Sequence, residues 1–247
     1  MAASTRRTAT ALLTTEAALL HRMRAAVDTI AAQHFTTDAR TEAIFARINQ
    51  AAAAMQRHLP AVVAAGRTDA RNAGLRALHA DADRLRKALV ANGEPGTLPE
   101  LPPLSDSLAA DAERGRSTAM ALAGAWHTAA TGAIVTATAG TTMRAVTKAA
   151  NAAVAHNIER IAANENAHAF NDERTRAAHG IAQAAGLHLR REWNAILDDR
   201  TCDVCGALDG VVRWDHEPFG AVGSSPPVHP HCRCFVTESW HPRTNDA

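Results

Sequence analysis

The chain has 247 residues and a formal net charge of +1, with 47% hydrophobic residues, 4% aromatic residues and no tyrosine. This length suits one large domain or two small ones, and the balanced total charge gives no sign of a protein that binds nucleic acid or acidic membranes. No stretch approaches the roughly 20 apolar residues of a membrane-spanning helix. Alanine supplies much of the hydrophobic content. Because alanine is the best helix former but buries little area, we predict long helices with modest packing energy per residue.

The chain starts with two arginines before an apolar run, a pattern that superficially resembles a secretory signal. The run is interrupted by Thr14, Thr15 and Glu16, and no clear cleavage site follows it. We therefore expect a protein of the reducing cytoplasm. In that compartment, four cysteines confined to the last fifth of the chain favour a metal site over disulfide bonds.

The first part of the chain has apolar residues at helical spacing. This spacing predicts helices over residues 5–34 and 38–58. Pro60 suits the first turn of a third helix that continues to about Val90. The prediction for residues 1–91 is therefore an N-terminal region of three antiparallel helices.

A Pro- and Gly-rich segment follows, NGEPGTLPELPPLSD at residues 92–106. Its four prolines and two glycines predict an extended linker and the main domain boundary. Residues 107–198 are predicted to be helical again. The longest helices of this part are expected at about 141–176 and 176–198.

Three groups of residues in the helical part are expected to be structural. A small-residue packing face is predicted from three glycines that recur every eight residues, Gly124, Gly132 and Gly140. Ordinary surface or core roles are expected for the isolated histidines His156, His168, His179 and His188. A solvated helix face is expected for the acidic residues Glu165, Asp172 and Glu173.

Residues 199–247 differ in character from the rest of the chain. VVRW at 211–214 and CRCFVTESW at 232–240 predict two short strands, and the Gly/Pro/Ser loop between them has little to stabilise it except a bound metal. The predicted fold is therefore mainly α. It is an alanine-rich helical bundle with a small C-terminal zinc-stabilised α+β cap at residues 199–247.

The cysteines stand in two short motifs, Cys202-x2-Cys205 and His229-x2-Cys232-x-Cys234. A Cys-x2-Cys turn can span one edge of a zinc tetrahedron, and His-x2-Cys can supply the opposite edge. The favoured ligands are Cys202, Cys205, His229 and Cys232. Cys234 can replace either later ligand, because residues 232 and 234 face the same side of a strand, and His231 is a sixth candidate. A thiolate-rich set of four or more protein ligands indicates structural rather than catalytic zinc.

One catalytic alternative comes from Asp215-His216-x-Pro218 beside the first cysteine pair. This stretch resembles the Asp-His of an HNH nuclease, a metal-dependent DNA nuclease in which the histidine activates water. That motif also needs a downstream Asn, and none occurs between residues 195 and 244. A second alternative is a cytoplasmic zinc adaptor protein.

Several short motifs follow one another around the cysteines, and their order resembles that found in one protein family. They are Trp193-x5-Asp199-Arg200-Thr201-Cys202-x2-Cys205, then Leu208-Asp209-Gly210, then Pro226-Pro227-x-His229-Pro230-x-Cys232-Arg233-Cys234. Over about residues 140–236 the chain resembles the Mu F-like head-morphogenesis (minor capsid) family of tailed bacteriophages. Asn164-Glu165 stands where that family commonly has Arg-Thr-Glu, so only the glutamate is kept.

The resemblance implies a structural minor head protein rather than an enzyme. It would act in head morphogenesis near the portal and in DNA packaging or delivery. The implied partners are the portal protein, major capsid or scaffold proteins and phage DNA, with no membrane and no small-molecule substrate. The implied location is the virion, in the head interior or portal region, after assembly in the host cytoplasm. Arg233, between two candidate ligands, is expected to contact a partner's carboxylate or a DNA phosphate.

Overall fold

The computed structural model describes residues 3–35, 41–91, 108–137 and 141–242. The prediction of a mainly helical chain with a small C-terminal sheet is confirmed. The elements in chain order are α1 (Ala3–His34), α2 (Thr41–Ala91), α3 (Leu108–Val135), α4 (Met143–Ala185), β1 (Leu187–Asn194), α5 (Asp203–Leu208), β2 (Val212–Trp214), a 3-10 turn (Gly220–Val222) and β3 (Phe235–Pro242).

The prediction of a separate helix starting at Pro60 is wrong, because α2 continues through this proline. A proline inside a helix removes one backbone hydrogen bond and costs about 3 kcal/mol. Met55, Leu59 and Val63 lie on both sides of Pro60 and are fully buried in one core. Keeping all three in that core favours one long helix over two shorter ones, so the described N-terminal part has two helices instead of three.

The predicted helix over 176–198 is also wrong in its second half. Helix α4 ends at Ala185, and Gly186 follows with a φ of +65°, a conformation that glycine adopts without strain. The next eight residues form strand β1, in which Leu189, Arg191 and Trp193 are buried on one face. Trp193 therefore stands on a strand and not at the end of a helix.

The three strands form one antiparallel sheet in the order β2-β1-β3. Arg190 of β1 lies opposite Trp214 of β2 on one side and Ser239 of β3 on the other. The predicted strand at 211–214 is confirmed, with one residue fewer. The predicted strand at 232–240 begins only at Phe235, so Cys232 and Cys234 precede it.

The described residues divide into two compact units. One contains residues 17–35, 41–66, 108–137 and 141–162, and the other contains residues 3–16, 67–91 and 163–242. Each unit therefore takes residues from both sides of the predicted linker 92–106, all of which lies outside the described residues. The predicted linear parts 1–91, 107–198 and 199–247 stay predictions.

In the first of these units, Trp126 is fully buried, and its indole N–H donates to Asn151 Oδ1 at 2.7 Å. The Asn151 amide in turn donates to Asp28 Oδ1 at 2.6 Å. The apolar side chains around this network include Leu19, Met23, Val27, Ile48, Met55, Leu59, Leu122, Val154 and Ile158. The indole N–H of Trp126 and the amide of Asn151 are thus hydrogen-bonded, which limits the cost of burying them.

The predicted glycine packing face is wrong for the two glycines that the structure describes. A Cβ atom placed on Gly124 or Gly132 would meet nothing within 4 Å, whereas one on Gly115 would lie 2.8 Å from the Pro60 carbonyl oxygen. Gly140 lies outside the described residues. The eight-residue period therefore does not mark the close helix contact, which occurs at Gly115.

In the second unit, Arg174 is completely buried and connects α4 to its neighbours. Its guanidinium lies 2.6 Å from an Asp81 oxygen and 2.7 Å from a Glu238 oxygen, and it donates to the Val236 carbonyl. Burial raises the pKa of Glu238, against the lowering effect of Arg174. A buried charge group of this kind costs several kcal/mol when one partner is removed.

Of the three acidic residues expected on a solvated helix face, Asp172 is exposed, whereas Glu165 and Glu173 are at least half-buried and form ion pairs. Glu173 is buried and pairs with Arg176, while Glu165 pairs with the buried Arg67 at 2.5 Å. Asp172 also has interaction partners. None of the helices in the described residues combines the length and apolar content that crossing a lipid bilayer requires.

Candidate metal centre

The first cysteine pair is positioned by the short helix α5. Cys202 is the N-cap of this helix, with extended backbone angles, and its Sγ accepts a hydrogen bond from the Cys205 amide at 3.4 Å. The Gly206 amide donates to the Cys202 carbonyl at 2.9 Å, which closes the turn. An N-cap cysteine therefore brings both sulfurs to one side of the turn, as the Cys-x2-Cys spacing predicts.

His229 faces both of these sulfurs through one ring nitrogen. Its Nε2 atom lies 3.1 Å from Cys202 Sγ and 3.0 Å from Cys205 Sγ. Its Nδ1 atom lies 2.8 Å from the Pro230 carbonyl oxygen. Because that carbonyl can only accept, Nδ1 carries the hydrogen and Nε2 keeps its lone pair for the cysteine side, which is how a metal-binding histidine is oriented.

Cys232 and Cys234 approach from the opposite side. Cys232 Sγ lies 3.9 Å from Cys205 Sγ, close to the roughly 3.8 Å edge that a zinc–sulfur distance of about 2.3 Å gives in a tetrahedron. The ligand atoms form two overlapping groups, Cys202–Cys205–His229 and Cys205–Cys232–Cys234. All five predicted residues are therefore together, with Cys205 in both groups. These donors fit a metal ion, and the choice of four among them stays a prediction.

His231, the sixth candidate, plays a different part. It belongs to neither group of ligand atoms in the described residues. Its φ of +61° is unusual for a residue other than glycine. Its amide donates to Asn164 Oδ1 at 2.9 Å, so α4 holds the turn between His229 and Cys232. Asn164 is a supporting residue that the cysteine motif could not indicate.

The thiols differ strongly in acidity. The hydrogen bond from the Cys205 amide lowers the pKa of Cys202, and the hydrogen bond from Cys234 lowers the pKa of Cys232 to about 5. Burial raises the pKa of Cys205 to about 12, and the hydrogen bond to Cys232 together with burial raises that of Cys234. The pKa is therefore lowered at Cys202 and Cys232 and raised at Cys205 and Cys234, because further negative charge here needs a cation to balance it.

The imidazole of His229 responds to the same charges. Burial disfavours its protonation, but the hydrogen bond to the Pro230 carbonyl and negative charge at Cys232 and Cys202 favour it, and its pKa is raised overall. A metal ion at this place would compete with that proton.

The turns between the motifs are fixed by one side-chain and one backbone hydrogen bond. Asp209 Oδ1 accepts from the Ala195 amide at 2.8 Å, and Gly210, with a φ of +77°, donates from its amide to the Trp193 carbonyl at 2.8 Å. Trp193 packs edge-on against Phe219 with ring centres 5.3 Å apart. The apolar residues around the cysteines therefore form a small core joined to β1.

Arg233 is not available to a partner as expected. It is 7% exposed, and its Nη2 atom lies 2.6 Å from Asp198 Oδ1. Asp198 also accepts from the Arg200 amide at 3.0 Å, and its own amide donates to the Thr201 hydroxyl oxygen at 2.9 Å. The residues before Cys202 thus form a turn after a strand, and the expectation of an outward-pointing Arg233 is wrong.

The Asp215-His216 stretch directly follows β2 and belongs to neither group of candidate metal ligands in the described part of the chain. Asp215 Oδ1 lies 3.0 Å from His179 Nε2 and 3.7 Å from Arg191 Nε. His179 therefore has an acidic partner that the sequence did not indicate. His216 lines a cavity of about 190 Å³ together with His179, His188 and Trp214.

Residues 135–237 match the family model described as Phage Mu protein F like protein. Over these residues the chain is similar to the Mu F-like family. The match confirms the resemblance that the motifs carry. No curated protein and no solved structure was found to match the chain.

The Mu F-like segment contains all five predicted ligands and the residues that hold them. Trp193 and the Leu208–Gly210 turn, which belong to the motifs of the resemblance, pack or hydrogen-bond around the cysteines. Glu165, the glutamate kept from the Arg-Thr-Glu pattern, is paired by Arg67 from α2, outside the matched segment. Of these motif residues, Trp193 and the Leu208–Gly210 turn therefore help to build the cysteine centre.

Proposed function

We propose that this chain is a structural component of a tailed-phage head that acts in head morphogenesis next to the portal. The observation that carries the proposal is the Mu F-like match over residues 135–237. The site chemistry agrees with a structural role, because the donors that converge in this segment are mainly thiols and match the closed kind of metal site. The protein would be located in the virion, with the portal, major capsid or scaffold proteins and phage DNA as its partners.

The proposed cofactor is one structural zinc ion held by Cys202, Cys205, His229 and Cys232. Cys234 would support the Cys232 thiolate by a hydrogen bond instead of binding the metal. In this role zinc would fix the loop between β2 and β3, which has few apolar residues of its own.

Metal analysis of purified full-length protein tests the ligand set. One zinc per chain is expected in the parent and in Cys234→Ser, and none in Cys202→Ser, Cys205→Ser, His229→Ala or Cys232→Ser. Retention of zinc in Cys202→Ser together with its loss in Cys234→Ser would reject this set. A metal-free parent, purified without chelator, would reject the zinc proposal itself.

Coexpression with the portal, capsid and scaffold proteins of the same phage tests the assembly role. The parent and Cys234→Ser should enter assembled particles and bind the portal, whereas Cys205→Ser should do so less, because its C-terminal fold is loosened. Absence of all three proteins from particles and portal fractions would contradict the proposal.

The nuclease alternative has a separate assay. Purified protein is incubated with supercoiled plasmid and magnesium, manganese or nickel, and no nicking is expected. Cleavage that His216→Ala abolishes, and that Cys234→Ser retains, would favour the nuclease.

A further inference from the structure

A groove of about 500 Å³ lies between the beginning of α1 and the middle of α2. Both walls belong to the same compact unit. Beneath the groove, Ala9 and Leu12 of α1 pack with Ala70 and Ala73 of α2 in one buried cluster. The two helices are therefore held together below the groove, which remains open above them.

The surface of the groove is more apolar than the residue types that line it would suggest. Three of its threonines, Thr10, Thr14 and Thr15, donate their hydroxyl hydrogens to carbonyls of their own helix, at 2.9, 2.8 and 3.0–3.1 Å. Because these donors are used within the helix, the threonines can offer their methyl groups to a ligand. The other small lining residues are alanines: Ala11, Ala73, Ala77 and Ala80. Small side chains let the backbone of a bound segment approach closely.

The polar lining residues give the groove a positive charge. Arg6, Arg7 and Arg76 line it, all three are exposed, and their side chains form no ion pair with any described residue. The only acidic lining residue, Asp81, is already paired with Arg174 at 2.6 Å and with Arg84. A ligand that fits must therefore combine an apolar surface with negative charges at its borders.

We propose that this groove binds an amphipathic helix of a partner protein, with small or branched apolar residues on one face and glutamates or aspartates beside them. A helix laid between two helices buries its apolar face against both, and its acidic flanks would meet the three guanidinium groups. The inference goes beyond the head-morphogenesis role and does not depend on it, because it is argued from the lining of the groove alone.

Binding of a synthetic helix to the full chain tests the proposal. The probe is a fluorescein-labelled peptide of about 18 residues, long enough to form a helix, with leucine and alanine on one face and glutamate on the other. Two comparison peptides carry lysine in place of glutamate, or serine in place of leucine. Fluorescence anisotropy is expected to show saturable binding of the first peptide and much weaker binding of both others.

The second part of the test reverses the charge of the arginines that line the groove. The triple variant Arg6→Glu, Arg7→Glu, Arg76→Glu should weaken binding by at least about tenfold, since three favourable charge contacts become unfavourable. The matched control reverses three exposed helical arginines that do not line the groove, Arg57, Arg114 and Arg144. At physiological salt this control should change the affinity less than about twofold, because salt screens charges that make no direct contact with the peptide.

A steric variant tests the position. Thr14 is exposed and lines the groove, so Thr14→Trp should fill it and abolish binding while circular dichroism and the melting temperature stay unchanged. Equal binding of the lysine peptide, full binding by Thr14→Trp, or equal effects of the two triple variants would overturn the proposal. So would a dimer in sedimentation that the groove variants dissociate, because the occupant would then be a second copy of this chain.

Discussion

Arg233 Nη2 lies 2.6 Å from Asp198 Oδ1, and this ion pair connects the turn before the first cysteine pair to the segment that carries the last two cysteines. The hydrogen bond from Arg233 lowers the pKa of Asp198, against a smaller effect of burial. The guanidinium is almost fully buried, while a third of the carboxylate side chain stays in contact with water. The pair therefore holds together the two halves of the proposed zinc site independently of the metal.

A double-mutant cycle on this pair should show strong coupling. Arg233→Ala and Asp198→Ala should each lower the free energy of unfolding, and the double variant should lose less than their sum, with a coupling of about 1–2 kcal/mol. Urea unfolding of the four proteins measures it. Asp199→Ala is the control, since Asp199 is an exposed neighbour, and it should change stability by less than about 0.5 kcal/mol. Additive effects would mean that the pair contributes nothing.

Metal removal should loosen one part of the chain selectively. If zinc joins Cys205 to Cys232, a chelator should increase hydrogen exchange of backbone amides between residues 195 and 234. The backbone amides of α3, which belongs to the other compact unit, should keep their protection against hydrogen exchange. Exchange measured by mass spectrometry, with and without chelator, provides the comparison. Cys234→Ser should respond to the chelator like the parent, and a uniform change along the chain would contradict a local zinc role.

Burial of Glu16 should make stability depend on pH. Burial raises the pKa of this carboxyl, against the lowering effects of Arg233 and Arg200. A raised folded-state pKa means that Glu16 contributes stability below its ordinary pKa and that this contribution is lost as pH rises through the raised value. Glu16→Gln cannot ionise, so its melting temperature should exceed that of the parent at pH 8, by more than at about pH 4.

The control for this pH prediction is Glu192→Gln, because Glu192 is exposed on β1. Its melting temperature relative to the parent should not change between the two pH values. If the melting temperature of Glu16→Gln exceeds that of the parent by the same amount at both pH values, the ionised Glu16 carboxylate does not destabilise the protein.

The sequence indicated α1 well, because the apolar spacing over residues 5–34 is regular. The sequence-based prediction failed where the preference of a single residue was considered without its tertiary contacts. Pro60 is a helix starter by its own chemistry, yet the burial of Leu59 and Val63 beside it keeps α2 continuous. The packing of a shared core therefore outweighs the preference of proline for the start of a helix.

The switch from helix to strand at Gly186 was missed for a related reason. Every second residue of β1 from Leu187 to Trp193 faces the same side, and polar residues lie between them. One of these same-side residues is the charged Arg191, so the sequence does not show a regular alternation of apolar and polar residues. Arg191 is tolerated there because it donates to the Ser224, Asp215 and Glu217 carbonyls. Those partners lie 24 or more residues further along the chain, so no local pattern could indicate them.

The cysteine centre was the most predictable part, because its five residues are defined by short motifs whose spacing is set by ligand geometry. The residues that support it were not predictable in the same way. Asn164 comes from α4, and only the folded chain brings it to the His231 amide. Asp209 could have been identified from the Leu-Asp-Gly turn, although its target, the Ala195 amide, could not.

Two glycines of α3 should respond oppositely to the same substitution. In both, alanine removes the conformational freedom of glycine in the unfolded chain, which favours the helix by about 0.5–1 kcal/mol. At Gly124 nothing lies within 4 Å of the new methyl group, so Gly124→Ala should raise the free energy of unfolding by about that amount.

At Gly115 the methyl group would lie 2.8 Å from the Pro60 carbonyl oxygen, a backbone atom of another long helix. The helices must move apart to admit it, which costs about 1–3 kcal/mol and outweighs the gain, so Gly115→Ala should destabilise the protein. Denaturant unfolding followed by helical circular dichroism compares the two variants within one compact unit, with Gly132→Ala as a second open site. Stabilisation by all three would mean that α2 and α3 do not approach each other at Gly115. Destabilisation by all three would instead restore the small-residue packing face that the eight-residue period predicts.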